Sequence, residues 1–240
     1  MIDSKSSGRS FRLSYRFEQR NRESDMTPVE SSAPQPSYWE GRSDLLYYRC
    51  VEMFVAGFAP KGRSIIDIGS NQAPLLEQFT WFKKRVSLDL RQPYRSENVK
   101  GVKADFLSFT PKQTFDLAMC LQVLEHVEDP SAFAQKLFAI ARNVLISIPY
   151  LWPENTTRSH IHNVLDEKSL EQWTGRPATF SYIVQEPFSI SPTSRRIIAY
   201  YHGSSKPFSL RAAQKAFRRS KFSRAGTTPE VAPPSPPAEA

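Results

Sequence analysis

The sequence predicts an α/β fold with a doubly wound, mostly parallel sheet and helices on both of its faces. Short runs of β-branched residues alternate with stretches of helical periodicity along the middle of the chain, which is typical of βαβ units. Two further apolar runs, on either side of residue 190, are joined by a Pro- and Ser-containing segment. This connection predicts a hairpin, and therefore an antiparallel end of the sheet.

Seven strands are predicted where apolar, β-branched runs are bounded by residues that favour turns. They lie at Ser64–Ile68, Val86–Leu90, Val99–Ala104, Phe115–Leu121, Asn143–Ile148, Ala178–Glu186 and Arg195–His202. The first strand is followed by a glycine and then by a helical pattern. A tight turn between a strand and a helix brings backbone N–H groups close to a ligand.

Helices are predicted where apolar residues recur at intervals of three and four. The first helix ends before Pro60 and Gly62, and a later one begins at the cap-like pair Asp129 and Pro130. The predicted helices are Ser43–Phe58, Gln72–Phe79, Ser131–Ala141, Asp166–Trp173 and a basic helix at Leu210–Lys221. Several of them separate consecutive strands, as βαβ units require.

The composition is that of a folded protein with one domain and two tails. The chain has 240 residues, of which 40% are hydrophobic and 23% are charged. Residues 1–36 mix Ser, Arg and Glu without an apolar period, and we expect them to be disordered. The folded domain is predicted to span residues 37–203. Residues 204–240 are expected to form a basic and then Pro-rich tail that is largely disordered.

The net charge of +8 is concentrated near the end of the chain. Residues 204–240 hold seven basic and two acidic side chains, which gives this tail a net charge of +5. A basic tail can contact nucleic acid, but charge runs are more often simply solvated. A nucleic-acid partner for this tail is therefore not favoured.

Hydropathy and cysteine usage point to the cytoplasm. No apolar run approaches the roughly 20 residues that a membrane-spanning helix needs, and no signal-peptide pattern is found among the first residues. Cys50 and Cys120 lie in apolar stretches without metal-ligand spacing, which predicts buried free thiols in a reducing compartment. We therefore expect a cytoplasmic protein without a transmembrane segment.

The first predicted strand begins a nucleotide-binding pattern, SIIDIGSNQAPLLEQF, at residues 64–79. It resembles motif I of the class I, Rossmann-like S-adenosylmethionine-dependent methyltransferases. Asp67 and Gly69 match that motif, whereas Asn71 and Ala73 stand where Gly is usual. Asn adopts left-handed backbone angles more readily than most residues, so the loop can still form. The resemblance implies a Rossmann-like fold, S-adenosylmethionine as cofactor, and Asp67, Gly69 and Asn71 as cofactor-binding residues.

Two later strand ends extend the resemblance to the nucleoside part of the cofactor. VSLDL ends in Asp89 and Leu90 about 20 residues after the turn, where an acidic side chain binds the ribose hydroxyls. VKADFLSF contains Asp105 and Phe106, which match the segment that holds the adenine in the family. We therefore expect these four residues to contact the cofactor.

The fourth strand and the loop after it, FDLAMCLQVLEHVEDP, carry the most specific part of the resemblance. In the family, the positions of Leu121 and Gln122 border the methionine portion of the cofactor. Glu125 and His126 begin the next loop, where this pair more often orders the loop than takes part in the reaction. The resemblance covers roughly residues 37–203.

Two histidines follow the fifth strand, where such folds build the acceptor side of the pocket. His160 and His162 point to the same face if their segment is extended, and either could act as a general base. They are the predicted catalytic residues, although both could instead order a loop. Neighbouring aromatic residues could line the same pocket or pack a lid; they are Tyr38, Trp39, Tyr150 and Trp152.

The predicted function is transfer of a methyl group from S-adenosylmethionine to a small-molecule or glycan acceptor. Hydride transfer is disfavoured because the third Gly of the dinucleotide fingerprint is absent. One alternative is an RNA 2′-O-methyltransferase with a metal bound by Glu125, His126 and His162. Gln122 replaces a carboxylate of that metal-binding pattern, so no metal is predicted. A non-catalytic, cofactor-binding interaction protein is the other alternative.

Overall fold

A seven-stranded sheet forms the centre of the computed structural model, which describes Trp39 and residues 41–220. The strands are β1 Ser64–Ile68, β2 Lys84–Asp89, β3 Lys100–Lys103, β4 Phe115–Leu121, β5 Ala141–Pro149, β6 Phe180–Gln185 and β7 Arg195–Tyr201. Their order across the sheet is β3-β2-β1-β4-β5-β7-β6. Strands β1 to β5 pair in parallel, and β7 pairs antiparallel with both β5 and β6. The predicted fold class is confirmed, including the antiparallel end.

Helices cover both faces of this sheet. They are α1 Leu46–Phe58, α2 Pro130–Ile140, α3 Glu167–Thr174 and α4 Leu210–Arg219, with 3₁₀ helices at Pro74–Gln78, Leu124–His126 and Pro192–Ser194. On one face, α2 and α3 bury Phe133, Leu137 and Trp173 in an apolar cluster. On the other face, α1 buries Val51 and Phe54 in a second cluster. The sheet is therefore a middle layer with an apolar core on each side.

Local capping explains where α2 and α3 begin. The Asp129 carboxylate accepts a hydrogen bond from the Ala132 N–H at 2.8 Å, and Pro130 occupies the first turn of α2. Asp166 and Ser169 form a capping box at the start of α3. Gly175 ends α3 with φ +67°, a left-handed angle that glycine adopts readily.

The predicted helix at Gln72–Phe79 is wrong in type and length, since only the 3₁₀ helix Pro74–Gln78 forms. Asn71 and Gln72 have φ of 42° and 62°, which an α-helix does not allow. The Gln72 N–H instead donates to the Gln92 carbonyl at 2.9 Å. The chain is thus held in a loop up to Pro74.

The folded region continues beyond the predicted boundary at residue 203. Helix α4 packs on α1, and its Ala213 is buried. The Phe208 ring lies 5.3 Å from that of Phe58 and 5.7 Å from that of Tyr200. The basic helix ends at Arg219 rather than at Lys221. Residues 1–36, predicted to be disordered, lie outside the described residues, as does the part of the predicted tail 204–240 from Lys221 onward. Within the described part of the chain, no helix combines the length and apolarity needed to span a membrane.

Candidate active site

The predicted site residues converge at the edge where the parallel strands β1 to β5 end, here called the carboxyl edge. The chain runs outward from β1 to β2 and β3 in one direction, and from β4 to β5 in the other. A crevice for ligands forms at such a reversal of strand order. Asp67, Asp89 and Leu121 lie in the last two residues of neighbouring strands, so their loops meet there.

The loop after β1 requires glycine at its first position. Gly69 has φ +77°, and a Cβ atom there would lie 2.4 Å from Cγ2 of Val123. The Gly69 N–H donates to the Leu88 carbonyl at 2.8 Å, which ties the loop to β2. Asn71 follows in a left-handed conformation, as its place in the motif requires. The loop therefore approaches the carboxyl edge closely, as a phosphate- or nucleoside-binding turn does.

Asp89 fastens two loops at the end of β2. Its Oδ2 accepts a hydrogen bond from the Asn71 N–H at 2.9 Å. Its Oδ1 accepts from the N–H groups of Arg91 and Gln92 at 2.8 and 2.9 Å. A carboxylate has about four acceptor positions, so capacity remains for a ligand hydroxyl. The sequence did not indicate that this side chain also shapes the motif loop.

Asp67 is buried at the end of β1. Its pKa is raised to about 8, first because burial disfavours the charged form and second because Asp89 adds a nearby negative charge. A positively charged ligand group at the carboxyl edge would favour the ionised form. The ionisation of Asp67 therefore depends on the charge of the ligand that binds beside it.

The end of β3 provides a turn and exposed apolar surface. The Asp105 carboxylate accepts hydrogen bonds from the N–H groups of Leu107 and Ser108, both at 3.1 Å. The Phe106 ring is buried 4.5 Å from the Phe133 ring, so this side chain packs in the core and only its backbone can meet a base. Leu107 is 47% exposed, and Leu90 at the end of β2 is 59% exposed. The sequence prediction included Leu90 but missed Leu107.

The end of β4 is held by a buried polar network. Gln122 has φ +57°, its N–H donates to the Ser147 carbonyl at 2.9 Å, and its Nε2 lies 3.3 Å from the Ser147 hydroxyl. The same hydroxyl hydrogen-bonds the buried Tyr47 hydroxyl from α1. Leu121 is half-buried beside this network. Because Tyr47 and Ser147 lie far apart in sequence, spacing alone could not identify them.

Glu125 is a buried carboxylate in the loop after β4. It is 0% exposed, and neither carboxylate oxygen has a hydrogen-bond partner among the described residues. Burial raises its pKa to about 8, while the proximity of its own backbone N–H and the nearby Arg196 charge act in the opposite direction. Its backbone carbonyl accepts from the N–H groups of Ile161 and His162 at 2.9 and 3.2 Å. Glu125 thus anchors the histidine segment with its backbone while its side chain stays unpaired.

His126 and His160 lie beside that carboxylate. His126 Nδ1 is 2.8 Å from the Ser159 carbonyl, and its Nε2 is 4.0 Å from Glu125 Oε1. The His160 ring lies 4.8 Å from the His126 ring and stacks on Trp152 at 5.6 Å. Burial, with a contribution from His126, lowers the pKa of His160 to about 4, so its imidazole is neutral at pH 7. Glu125, His126 and His160, here called the Glu125 cluster, place one donor atom each within 4.8 Å of one another.

His162 lies outside this cluster. Its Nε2 donates to the Val127 carbonyl at 2.9 Å, and its ring meets Trp173 edge-on at 5.2 Å. Residues 159–164 are irregular rather than extended, so the two histidines do not share a face. The ligand set considered from the sequence is corrected accordingly, because His160 takes the place assigned to His162.

Arg196 is a buried cation near the Glu125 cluster that the sequence did not reveal. Its guanidinium carbon lies 5.3 Å from the Tyr47 ring centre and 5.2 Å from that of Trp152, and its Nη1 is 4.0 Å from Glu186 Oε1. Glu186 in turn accepts hydrogen bonds from the first N–H groups of α1. Strand β7 begins with Arg195 and Arg196. All five residues after them are apolar or aromatic, so the sequence pattern does not show which of the two arginines is buried.

Comparison with known proteins identifies the family. A model of the methyltransferase-domain family matches residues 38–188, well over half of the chain. Among curated proteins, the ubiquinone biosynthesis O-methyltransferase of Pseudomonas fluorescens strain SBW25 is 26% identical over 130 residues. That alignment covers 51% of this chain and 52% of the relative. The chain thus spans about half the length of the curated relatives it matches, which include the same enzyme from strain Pf0-1.

Solved structures of similar fold carry S-adenosylhomocysteine. The N-methyltransferase NodS of Bradyrhizobium japonicum WM9, in complex with this compound, aligns with a TM-score of 0.57 and 14% identity over 72% of this chain and 94% of its own. The 1,6-didemethyltoxoflavin-N1-methyltransferase of Burkholderia thailandensis aligns with a TM-score of 0.55 and 15% identity over 74% and 94% of the two chains. At these identities the likeness shows the fold. With its sheet order and the match over residues 38–188, the chain belongs to the methyltransferase-domain family and has the fold of the S-adenosylmethionine-dependent enzymes.

Proposed function

We propose that this protein transfers a methyl group from S-adenosylmethionine to a hydroxyl group of a small-molecule acceptor. The observation that carries the proposal is the carboxyl edge, where the strand order reverses and the Gly69 loop lies against both Asp89 and the segment after β4. The family match supports methyl transfer as the reaction at that edge.

The residues at the ends of β1, β2 and β3 would hold the nucleoside. Asp89 has acceptor capacity left for a ribose hydroxyl after its three backbone hydrogen bonds. Leu90 and Leu107 are exposed apolar side chains at neighbouring strand ends, and a planar base between them would cover both. Asp105 would accept from the base amine. The proposed nucleoside site therefore contains the predicted residues Asp89, Leu90 and Asp105, and Leu107 in addition.

The residues at the ends of β4 and β5 would hold the acceptor. S-adenosylmethionine supplies an activated methyl group when bound, so the protein must mainly align an acceptor atom with that group. His160 is neutral and would accept a hydrogen bond from an acceptor hydroxyl, while Trp152 stacks on it and restricts water. We keep His160 as an acceptor-side residue and assign His162 to ordering the loop, because its Nε2 is engaged by Val127.

A small hydroxyl compound is favoured over the other acceptors considered. The curated Pseudomonas relatives are O-methyltransferases of ubiquinone biosynthesis, which supports a small molecule rather than a glycan. An RNA acceptor would bind most tightly to a protein with basic side chains close to the site, because such side chains contact its phosphates. The basic helix α4 instead packs at the carboxyl end of α1, whereas Tyr47 at the opposite end of α1 contacts the site.

The full chain incubated with methyl-labelled S-adenosylmethionine and a panel of phenols, catechols and matched amines tests the proposal. We expect label in a phenolic or catecholic product, and strongly reduced transfer by the Asp89→Asn variant. If the parent binds S-adenosylhomocysteine but labels no acceptor in the panel or in a fractionated cell extract, the non-catalytic alternative is supported instead.

A further inference from the structure

The Glu125 cluster contains a buried carboxylate that nothing in the described part of the chain satisfies. Both Glu125 oxygens are shielded from solvent and lack hydrogen-bond partners. A buried polar group without a partner costs free energy, and more so when it can carry charge. Such a group in a crevice calls for a ligand that donates to it or carries positive charge.

The orientation of His126 shows what kind of ligand fits. A carbonyl oxygen can only accept, so the 2.8 Å contact with Ser159 places a proton on Nδ1. In neutral His126 the Nε2 lone pair therefore faces the Glu125 carboxylate across 4.0 Å. In its ionised form the carboxylate repels this lone pair unless a cation lies between them, whereas the uncharged form favoured by burial carries the proton itself. Histidines that bind metals are commonly oriented in this way, with the second ring nitrogen donating to a backbone carbonyl.

His160 completes a three-ligand arrangement. One ring nitrogen from each histidine and one carboxylate oxygen of Glu125 lie within 4.8 Å of one another. Glu125 is fully buried, and both histidines are partly exposed. The carboxylate thus forms the floor of the cluster, and the imidazoles face the crevice. A bound ion would have protein ligands on one side and an open position on the other.

We propose that Glu125, His126 and His160 bind one divalent transition-metal ion, with Zn²⁺ as the model ion. Two imidazoles and one carboxylate are a donor set that suits Zn²⁺ and its neighbours better than Mg²⁺ or Ca²⁺. Metal–ligand bonds of about 2.0–2.2 Å hold tetrahedral ligands roughly 3.4 Å apart, so binding would draw these atoms together by up to about 1.4 Å. The open position would accept an oxygen from water or, if the proposed function holds, from the acceptor hydroxyl.

The surrounding charges are compatible with an ion at this place. Arg196 is the nearby cation, and it has its own counterion in Glu186 at 4.0 Å. The aromatic rings of Tyr47 and Trp152 flank the guanidinium. A cation bound by Glu125 and the two imidazoles would therefore leave Arg196 with its own counterion, Glu186.

Metal titration of the full chain tests the proposal directly. Chelator-treated protein is titrated with Co²⁺, a spectroscopic substitute for Zn²⁺, and then with competing Zn²⁺. We expect one Co²⁺ per chain with visible absorption typical of nitrogen and oxygen ligands. Glu125→Gln and His160→Gln should each weaken binding by about a hundredfold or more, because even loss of a residue that only orients a ligand costs about tenfold to a hundredfold.

The chain offers a matched control, because it has four histidines and only two lie in the cluster. His202 hydrogen-bonds the Lys206 carbonyl and the Tyr200 hydroxyl, so His202→Gln removes an imidazole without touching the cluster. This variant should bind Co²⁺ like the parent. Thermal unfolding of each variant shows whether it is folded during the titration, and a destabilised His160→Gln can be replaced by His160→Asn.

Two results would overturn the metal site. The first is a folded parent that binds no Co²⁺ or Zn²⁺ at micromolar protein concentration. The second is binding that Glu125→Gln and His160→Gln leave unchanged. S-adenosylhomocysteine binding, measured on the same samples, separates this proposal from the proposed function, since cofactor binding without metal binding rejects only the metal site.

Discussion

Asp89 and Asp105, on one side of the carboxyl edge, differ from Glu125 on the other side in how their carboxylates are satisfied. On the side of β1 to β3, Asp89 and Asp105 are half-buried or exposed, and each accepts several hydrogen bonds from the backbone. On the side of β4 and β5, Glu125 is fully buried and has no hydrogen-bond partner within the described residues. Asp89 and Asp105 therefore have hydrogen-bond partners before a ligand binds, and the Glu125 side chain does not.

This difference suits two separate functions, cofactor binding on one side and selection of a second ligand on the other. A preformed loop lowers the conformational cost of binding a cofactor. An unsatisfied carboxylate beside two histidines discriminates strongly among ligands, since only some of them can supply the missing interaction. The specificity of this protein should accordingly depend on Glu125 and its neighbours more than on the Gly69 loop.

The largest expected effect follows from replacing Gly69. In Gly69→Ala the new Cβ would lie 2.4 Å from Val123, at a φ of +77° that Ala adopts with strain. We expect a loss of stability of about 2–4 kcal/mol and loss of measurable cofactor binding. Chemical denaturation and calorimetric titration with S-adenosylhomocysteine measure the two effects.

Gly175→Ala is the matched control for that variant. Gly175 also has positive φ, +67°, but the nearest atom to a new Cβ is Gln135 Nε2 at an ordinary 3.5 Å. It should lose only about 1 kcal/mol and bind the ligand like the parent. Equal binding by Gly69→Ala and Gly175→Ala would show that the loop after β1 is not part of the site.

Asp89→Asn should have the next largest effect. The amide retains size but loses charge and acceptor capacity, while three backbone N–H groups still point at it. We expect about tenfold to a hundredfold weaker binding of S-adenosylhomocysteine, together with a stability loss of roughly 1–2 kcal/mol. Asp166→Asn, which alters a helix cap at α3, should lose stability without a change in affinity. An Asp89→Asn protein that binds like the parent would remove Asp89 from the site.

The stability of the ligand-free protein should fall as pH rises from 6.5 to 8. Asp67 and Glu125 have pKa values of about 8 in the folded protein, well above their usual values near 4. Folded molecules then hold protons that unfolded chains have lost, so stability decreases until pH passes 8. His160 has a lowered pKa of about 4 and acts in the opposite direction, but only below pH 6.5.

Denaturation with urea at several pH values measures this slope, which should total on the order of 1–3 kcal/mol across the window. Asp67→Asn and Glu125→Gln should each flatten it. Stability that is constant or rises between pH 6.5 and 8 would contradict the burial of these two carboxyl groups in their uncharged form.

The smallest effect is expected for Leu90→Ala. Leu90 is 59% exposed, so its truncation should hardly change stability but should remove apolar cover from the adenine. We expect a threefold to tenfold loss of affinity. Leu210, 55% exposed on α4, is a control of equal chemistry, and Leu210→Ala should leave affinity unchanged. If both variants behave alike, exposed leucine at the strand end has no part in binding.

Features that depend on neighbours in sequence were predictable. The strands were predictable because β-branched runs and turn residues alternate. Asp67, Gly69 and Asp89 were singled out by the resemblance to a family motif, and the structure places them at or just after the ends of β1 and β2. The helix after the motif was missed for a local reason as well. Asn71 and Gln72 take left-handed angles, and a helical apolar pattern does not reveal that.

Features that depend on tertiary contacts were not predictable. Arg196, Tyr47 and Ser147 come from β7, α1 and β5 and meet in the interior beside the ends of β4 and β5, and no spacing in the sequence relates them. The two candidate histidines diverge because the Glu125 carbonyl holds their segment in an irregular loop. Only the folded chain shows that His160, rather than His162, faces the buried carboxylate.

Calorimetric titration of the full chain with S-adenosylhomocysteine tests the central claim most directly, because it measures the carboxyl edge without requiring the acceptor. We predict one binding site per chain, a raised melting temperature at saturating ligand, and no response to a nicotinamide dinucleotide. Absence of heat and of any thermal shift with S-adenosylhomocysteine, together with binding of the dinucleotide, would contradict the account.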